Sequence, residues 1–487
     1  MSKQHKYKIS NYMRWSVFVL SALILHSCVP KQMVREETTA LPETYKDFVE
    51  RDSVNVARMR WQDFFADHNL QTLIDTALVN NQELNITLQR VAMANNEIKA
   101  RTGEYLPTIG IRAGAEVEKV GRYTSQGAND ATTDIKPGEE FPEPLNNFRV
   151  EAFASWEVDV WKKLRNLKKA AVMEYLSSVE GKNFMITNLI SEVAEAYYEL
   201  LALDNKLAII QQNLGLQNNA VKTVKLQKQA ARATELGVRR LEAEVLKNQS
   251  EMYAVKQEIT ETENRINFLI GRTPQHVERN SEEFIEQKID TIYSGVPAQL
   301  LQNRPDIKQA EYELAAAKLD VKVAKANFFP SLSIEAGIGL EAFKTKYLTT
   351  TPESLLYSVA GNLVAPVINR NAIKAEFSNA NARQLQAVYD YEKTILNAYI
   401  EVVNQLSNID NLKKSYELKV GQVRALTESI EITNKLFRSA RADYMEVLLT
   451  QRDALESKME LVETKKEQLL ARVSMYRDLG GGWVETD

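Results

Sequence analysis

The chain has 487 residues, one cysteine, four histidines and a formal net charge of −4. A single cysteine excludes an intrachain disulfide, and the mildly acidic balance argues against a nucleic-acid partner. No zinc-binding cluster, phosphate-cradling glycine loop or nucleophile elbow is present, so no catalytic residue, metal site or cofactor is expected.

In chain order, the first element is a targeting segment. Lys3, Lys6, Lys8 and Arg14 precede an apolar run from Trp15 to Leu25, which ends in Leu25-His26-Ser27-Cys28. The run has the layout of a signal peptide and is too short to span a membrane. Its end resembles a lipobox, although His26 departs from the usual small or apolar residue. The expectation is that 1–27 is removed and that Cys28 carries a covalent lipid; an ordinary secretory signal beside an unmodified cysteine is the alternative. One acyl chain anchors weakly, so stable residence in a membrane needs further insertion. No later apolar run is long enough for a transmembrane helix.

The mature chain then reads as a duplication. Asn80-Asn81-Gln82-Glu83-Leu84 matches Asn303-Arg304-Pro305-Asp306-Ile307 at an offset of 223 positions, as Pro107 matches Pro330 and Gly114 matches Gly337. Ala231-Arg232-Ala233 recurs as Ala440-Arg441-Ala442 at an offset of 209, shared by Gly271 and Gly480. Each half reads helix, strand, strand, long helix, helix. The 12 prolines avoid 145–273 and 367–487, where unbroken helix is required.

Within those spans the apolar residues keep a heptad. Ile186, Leu189, Val193, Ala196, Leu200, Leu203, Leu207, Ile210 and Leu214 step by three and four; so do Val238, Leu241, Val245, Asn248, Met252, Val255, Ile259, Thr262, Ile266 and Leu269. Ile395, Tyr399, Val402, Leu406 and Ile409, then Tyr416, Val420, Val423, Ile430 and Phe437, repeat it in the second half. This is a coiled-coil seam. Heptads alone equally suit a plain coiled-coil rod.

The strands separate the two. Ile109 to Val117, Phe148 to Val160, Leu332 to Leu340 and Leu355 to Ala365 alternate apolar with polar or small residues over roughly ten residues each. A soluble sandwich shows the same alternation. The lipid tether and the lack of further strands favour a membrane barrel. Four strands cannot close one, and an open sheet in lipid leaves unpaired backbone at its edges, so the barrel must be shared between chains.

Helix lengths give a check. Residues 164–230 as one helix span about 100 Å, the return over 235–271 about 55 Å, and 297–328 about 48 Å. One run of helix leading away from the membrane thus equals two runs back, with a break at 272–296, expected to wrap the outside of the helices with 42–66 and the C-terminal tail. The expected organisation is a signal peptide (1–27), a lipid-anchored N-terminal segment (28–69), a first repeat (70–271), an equatorial segment (272–296), a second repeat (297–479) and a tail (480–487).

The motifs Trp61-Gln62-Asp63-Phe64-Phe65, Trp156-Glu157-Val158-Asp159-Val160-Trp161, Val193-Ala194-Glu195-Ala196-Tyr197, Arg304-Pro305-Asp306-Ile307, Phe328-Phe329-Pro330-Ser331 and Leu479-Gly480-Gly481-Gly482-Trp483 stand in an order that resembles the outer-membrane efflux proteins of the TolC type, in their lipoprotein branch. Lys162 stands where that family usually has glycine. The resemblance implies a mostly α chain with a transmembrane β-barrel: a homotrimer whose 12-stranded barrel continues into a 12-helix periplasmic α-barrel, built from two internal repeats. It implies a periplasmic adapter and an inner-membrane transporter as partners, residence in the outer membrane, and no chemistry of its own.

By the same resemblance, function concentrates at the two helical turns, 231–235 and 440–444. Met445 falls where an apolar ring residue is often found, and Glu446 falls on an acidic ring position. Leu449 and Gly237 occupy two positions that are often Asp. One acidic ring is therefore expected, attracting cations to the axis. Seam packing is the other reading of Met445, and an exposed helix residue the other reading of Glu446. Ala231 and Ala440 replace the family's turn glycine; with Arg232 and Arg441 they are the expected adapter contacts, solvated loop arginines being the alternative. The function expected is a passive, gated exit duct for drugs or other toxic compounds. A duct for exported polypeptides and a non-conducting periplasmic coiled-coil spacer are the alternatives.

Overall fold

The computed structural model describes residues 29–45, 55–287, 293–439, 441–442 and 444–483. Cys28, Ala440 and the whole signal segment lie outside them. The chain divides into two compact units. One holds 93–175 and 312–388 with the N-terminal segment up to Glu36; the other holds 37–92, 176–311 and the residues from Tyr389 onward.

The helices are α1 (His68–Asn80), α2 (Gln82–Tyr105), α3 (Lys163–Gln229), α4 (Glu235–Leu269), α5 (Pro305–Ala326), α6 (Asn371–Arg438) and α7 (Tyr444–Asp478). The long strands are β1 (Thr108–Glu118), β2 (Leu145–Val158), β3 (Ser331–Ala342) and β4 (Leu355–Val364). No described helix is long and apolar enough to cross a membrane.

In the first unit the four strands form one antiparallel sheet in the order β1-β2-β3-β4. The register joins their apolar alternations into one face. Ile111 pairs with Ala152, which pairs with Ile338, which pairs with Tyr357. One row along, Ile109, Ala154, Ala336 and Val359 do the same. A slip of one residue would scatter these side chains over both faces. The face is bare: Ile109, Ile111, Tyr357 and Val359 are 78%, 81%, 77% and 80% exposed. The opposite face carries charge in cross-strand order: Arg112 bonds Glu151 at 3.0 Å, and Arg149 bonds Glu341 at 2.7 Å. Phe153 is an aromatic exception on that face. It lies over Gly110, where a Cβ would come within 2.7 Å of its ring. The outer edges of β1 and β4 have no strand partner among the described residues.

Alternation read from sequence overshoots at two strand ends. Val158 ends β2, and Asp159 caps α3 instead, accepting from the amides of Leu164 and Arg165 at 3.0 Å each. At the same end of the sheet, Val364 ends β4, one residue before Ala365. Lys162 takes up φ +62°, which explains the family's glycine at this corner. Trp161 closes the corner by stacking on Phe329 at 4.6 Å and donating to the Pro330 carbonyl at 2.8 Å. Nearby, Val29 packs on the cluster of Val321, Ala324, Phe328, Phe377 and Ala380.

The second unit is a helical assembly. In α4 the heptad residues Val238, Leu241, Val245, Asn248, Val255, Ile266 and Leu269 are all buried. They meet α3 through Leu203, Ile210 and Leu214. The seam of α6 is buried at Ile395 and Val402, but Leu406, Ile409, Val420, Val423, Ile430 and Phe437 are only half-buried. The stretch 297–328 is not one helix. A turn at Leu300–Asn303 precedes α5, which starts at Pro305, because the residue before a proline is driven out of the helical region.

Residues matched at offsets 223 and 209 make matching contacts. Gly271 (φ +70°) lies against the carbonyl of Asn80, and Gly480 (φ +88°) against that of Asn303; a Cβ on either would come within 2.5 Å of the oxygen. Asn81 donates to the Leu269 carbonyl at 2.8 Å, and Arg304 to the Asp478 carbonyl at 2.8 Å. Around Arg304 the second site adds ion pairs to Asp306 and Glu401, both at 2.7 Å. The Trp61–Phe65 motif packs on the last helix: Phe64 stacks on Tyr476 at 4.2 Å, and the Tyr476 hydroxyl donates to the Met59 carbonyl at 2.7 Å. Residues 272–287 cross the helices without a helix of their own. They are held by Arg279, which bonds Asp204 at 2.6 Å and Glu263 at 2.5 Å, and by Asn205, which donates to the Ser281 carbonyl at 2.8 Å.

Candidate functional site

The two tips are built alike. At the first, α3 ends in a left-handed residue, Ala231 at φ +57°. The Arg232 amide reaches back to the Gln227 carbonyl at 2.8 Å, and the Ala231 amide to Lys228 at 2.9 Å. This pattern usually uses glycine, since a Cβ there is strained. Thr234 then caps α4, its hydroxyl accepting from the Gly237 amide at 3.2 Å. At the second tip the Arg441 amide reaches back to the Leu436 carbonyl at 2.9 Å, closing the turn with the same span. Arg232 and Arg441 are both exposed.

Gly237 and Glu446 occupy the same place, the third residue of α4 and of α7. The Glu446 side chain is exposed, with no partner among the described residues. A carboxylate in the first turn is favoured by the helix dipole, so Glu446 is stable there without an ion pair. Gly237 has space around it: a Cβ would meet nothing closer than the Thr234 hydroxyl at 3.6 Å. Leu449 lies one turn beyond Met445 on α7 and is 43% exposed.

Met445 is half-buried against Val224, Val238, Leu241 and Leu448. That contact joins the two hairpins of one chain, so seam packing is present. Two residues that the sequence did not single out belong to this site. Arg240 brings its guanidinium to 4.0 Å from the Met445 sulfur. Tyr444 packs edge-on against Phe437 at 5.2 Å, and burial pushes its phenol up to about 12. The offset of 209 pairs Arg240 with Leu449, which was the one available signal in the sequence.

Charge concentrates on the first hairpin. Lys225 pairs with Glu242 at 2.7 Å, Arg239 with Glu235 and Glu242 at 2.9 Å each, and Lys228 with Glu235. The Lys228 hydrogen bond holds the Glu235 carboxyl below its usual range, and that of Lys225 does the same for Glu242. No group of three His, Cys, Asp or Glu among the described residues is placed to hold a metal. Among the described residues the site presents apolar, acidic and basic side chains at a helical tip and assembles no nucleophile–base pair or oxyanion pocket.

Comparison with known proteins agrees with this geometry. The family model for outer membrane efflux protein matches residues 73–272 and again 296–481. The chain is similar to the pyoverdine export outer membrane protein OpmQ of Pseudomonas aeruginosa, 27% identical over 466 residues, 96% of each chain. It is 26% identical over 432 residues to the cation efflux system protein CusC of Escherichia coli, covering 88% of this chain and 90% of that one. Its fold matches the open state of the Neisseria gonorrhoeae MtrE outer membrane channel with a TM-score of 0.82 at 21% identity, over 94% of this chain and 99% of that one. The chain belongs to the outer membrane efflux protein family. It is a non-enzymatic exit duct of the outer membrane, as the TolC-type resemblance implied.

Proposed function

We propose that three copies of this chain close one 12-stranded barrel in the outer membrane and continue below it as a 12-helix tunnel. In this reading the chain is a tandem duplication, and residues 272–296 run round the outside of the tunnel. The observation that carries the reading is the sheet. Its apolar face is bare, and its two edges have no strand partner among the described residues. In lipid the bare face is at home, but the edges are not; pairing β1 of one copy with β4 of the next removes them. The half-buried seam of α6 fits the same assembly, since its missing contacts belong to a neighbouring copy.

The duct passively conducts drugs or other toxic compounds delivered by an inner-membrane transporter through a periplasmic adapter. Identities of 27% to a pyoverdine exporter and 26% to a cation efflux protein select neither cargo. The tips form the gate. Glu446 supplies one ring of carboxylates, Met445 an apolar ring beside it, and Leu449 and Gly237 leave two further ring positions uncharged. Ala231, Arg232, Ala440 and Arg441 face the adapter, the arginines meeting acidic residues on it. Cys28 carries the lipid; Val29, the next residue, packs on the cluster that includes Val321, Phe328 and Phe377, which supports an anchor at the inner rim of the barrel.

Planar-bilayer recording tests the reading. The purified protein should conduct, and Glu446→Gln should weaken cation selectivity and block by multivalent cations. A protein that never conducts, even with Glu446 neutralised, would instead be a spacer.

A further inference from the structure

We propose that the outer loops of the barrel bind the phosphoryl groups of a glycolipid headgroup in the outer leaflet. This rests on the barrel reading, which puts the β1–β2 and β3–β4 loops on the outer face. Phe343 directly follows β3, and Tyr347 ends the short turn Thr345–Tyr347; their rings lie 5.3 Å apart. From the other loop, the hairpin of Asp134–Lys136 and Glu139–Glu140 folds onto them.

Three lysines converge on this platform. Lys136 Nζ lies 4.6 Å from the Tyr347 ring centre and 3.4 Å from its hydroxyl. Lys346 Nζ lies 4.7 Å from the same ring, and Lys344 Nζ lies 5.2 Å from the Phe343 ring. Glu139 pairs with Lys344 and its charge also reaches Lys136 and Lys346, so one carboxylate faces three ammonium groups; Lys136 and Lys346 make no ion pair of their own among the described residues and are exposed. Like charges gathered on one ring repel, and the ring quadrupole only partly offsets this. An anion settles the account. A phosphate monoester suits it, because ammonium groups bind phosphate as point charges from any direction. Position selects the source. Lys344 stands two residues beyond the last residue of β3, at the level where headgroups begin above the apolar band of a barrel.

The test uses the full-length protein in phosphatidylcholine proteoliposomes already shown to conduct. Binding of bisphosphorylated lipid A should weaken about thirtyfold in Lys136→Gln/Lys346→Gln, at about 1 kcal/mol for each lysine near a membrane surface. Dephosphorylated lipid A should bind both proteins equally weakly. Lys222→Gln/Lys247→Gln removes the same charge from the helices and should leave binding unchanged. Unchanged lipid affinity in the loop variant overturns the proposal. Inorganic phosphate competing at the lipid's own concentrations overturns the lipid as source. A preparation that conducts but ignores the phosphates sinks this site alone; one that does not conduct sinks the barrel reading.

Discussion

Arg304 and Asn81 stand at positions matched at the offset of 223, and replacing each measures what the second site adds. Arg304 is 6% exposed. Its ion pair with Asp306 is bidentate, at 3.0 and 2.7 Å, with the carboxylate largely buried. Arg304→Met leaves that charge without its partner, which costs about 2 kcal/mol or more. The Asp478 carbonyl loses its donor, costing about 1 kcal/mol more. The pair to Glu401 is half-exposed on the acid side and adds under about 1 kcal/mol after solvent screening. The total is about 3–4 kcal/mol. Asn81→Ala removes a neutral amide that donates to the Leu269 carbonyl and accepts from the Leu84 amide at 2.9 Å, costing about 1–2 kcal/mol. In thermal scans followed by circular dichroism at one fixed rate, Arg304→Met should lower the midpoint by roughly 3–4 °C and Asn81→Ala by roughly 1–2 °C. An Arg304→Met midpoint equal to the wild type, or an Asn81→Ala loss larger than that of Arg304→Met, would refute the reasoning.

Lys162→Gly should raise stability by about 1 kcal/mol, because the lysine holds φ +62° where glycine is unstrained; a lower midpoint would contradict this. Gly480→Ala should abolish accumulation in the outer membrane, since its Cβ would lie 2.5 Å from the Asn303 oxygen at a backbone angle of φ +88°; wild-type levels on an immunoblot of membrane fractions would count against the contact. Gly237→Asp has room for its side chain and should add a second acidic ring beside Glu446. Half-block of conductance should then need less divalent cation than in the wild type, and an unchanged blocking concentration would place Gly237 away from the axis.

Much of the fold was legible in the sequence where the interaction that fixes it is local or periodic. Burial along α4 follows the heptad from Val238 to Leu269, and the register of β1 to β4 aligns the alternations residue for residue. Asp159 shows where period two fails: it continues the alternation but is taken by the amides of α3. Lys162 and Ala231 were visible as departures from glycine, whereas their positive φ needed the backbone. The Arg304 network joins positions 306, 401 and 478, a convergence no spacing encodes. At the tip, the offset of 209 puts Glu446 with Gly237, but Arg240 and Tyr444 became part of the site only when the two hairpins met.

The most direct measurement is a cross-link across the sheet edges. Ile111→Cys on β1 and Val359→Cys on β4 place thiols on the bare face of the two unpaired edge strands. With a thiol-reactive linker of about 10 Å, long enough to bridge directly paired strands about 5 Å apart with a small offset along them and shorter than the roughly 14 Å between the edges of one sheet, membranes should yield a ladder on a non-reducing gel that ends at three chains. A ladder that stops at one chain, or runs on past three, would contradict a barrel shared by three copies.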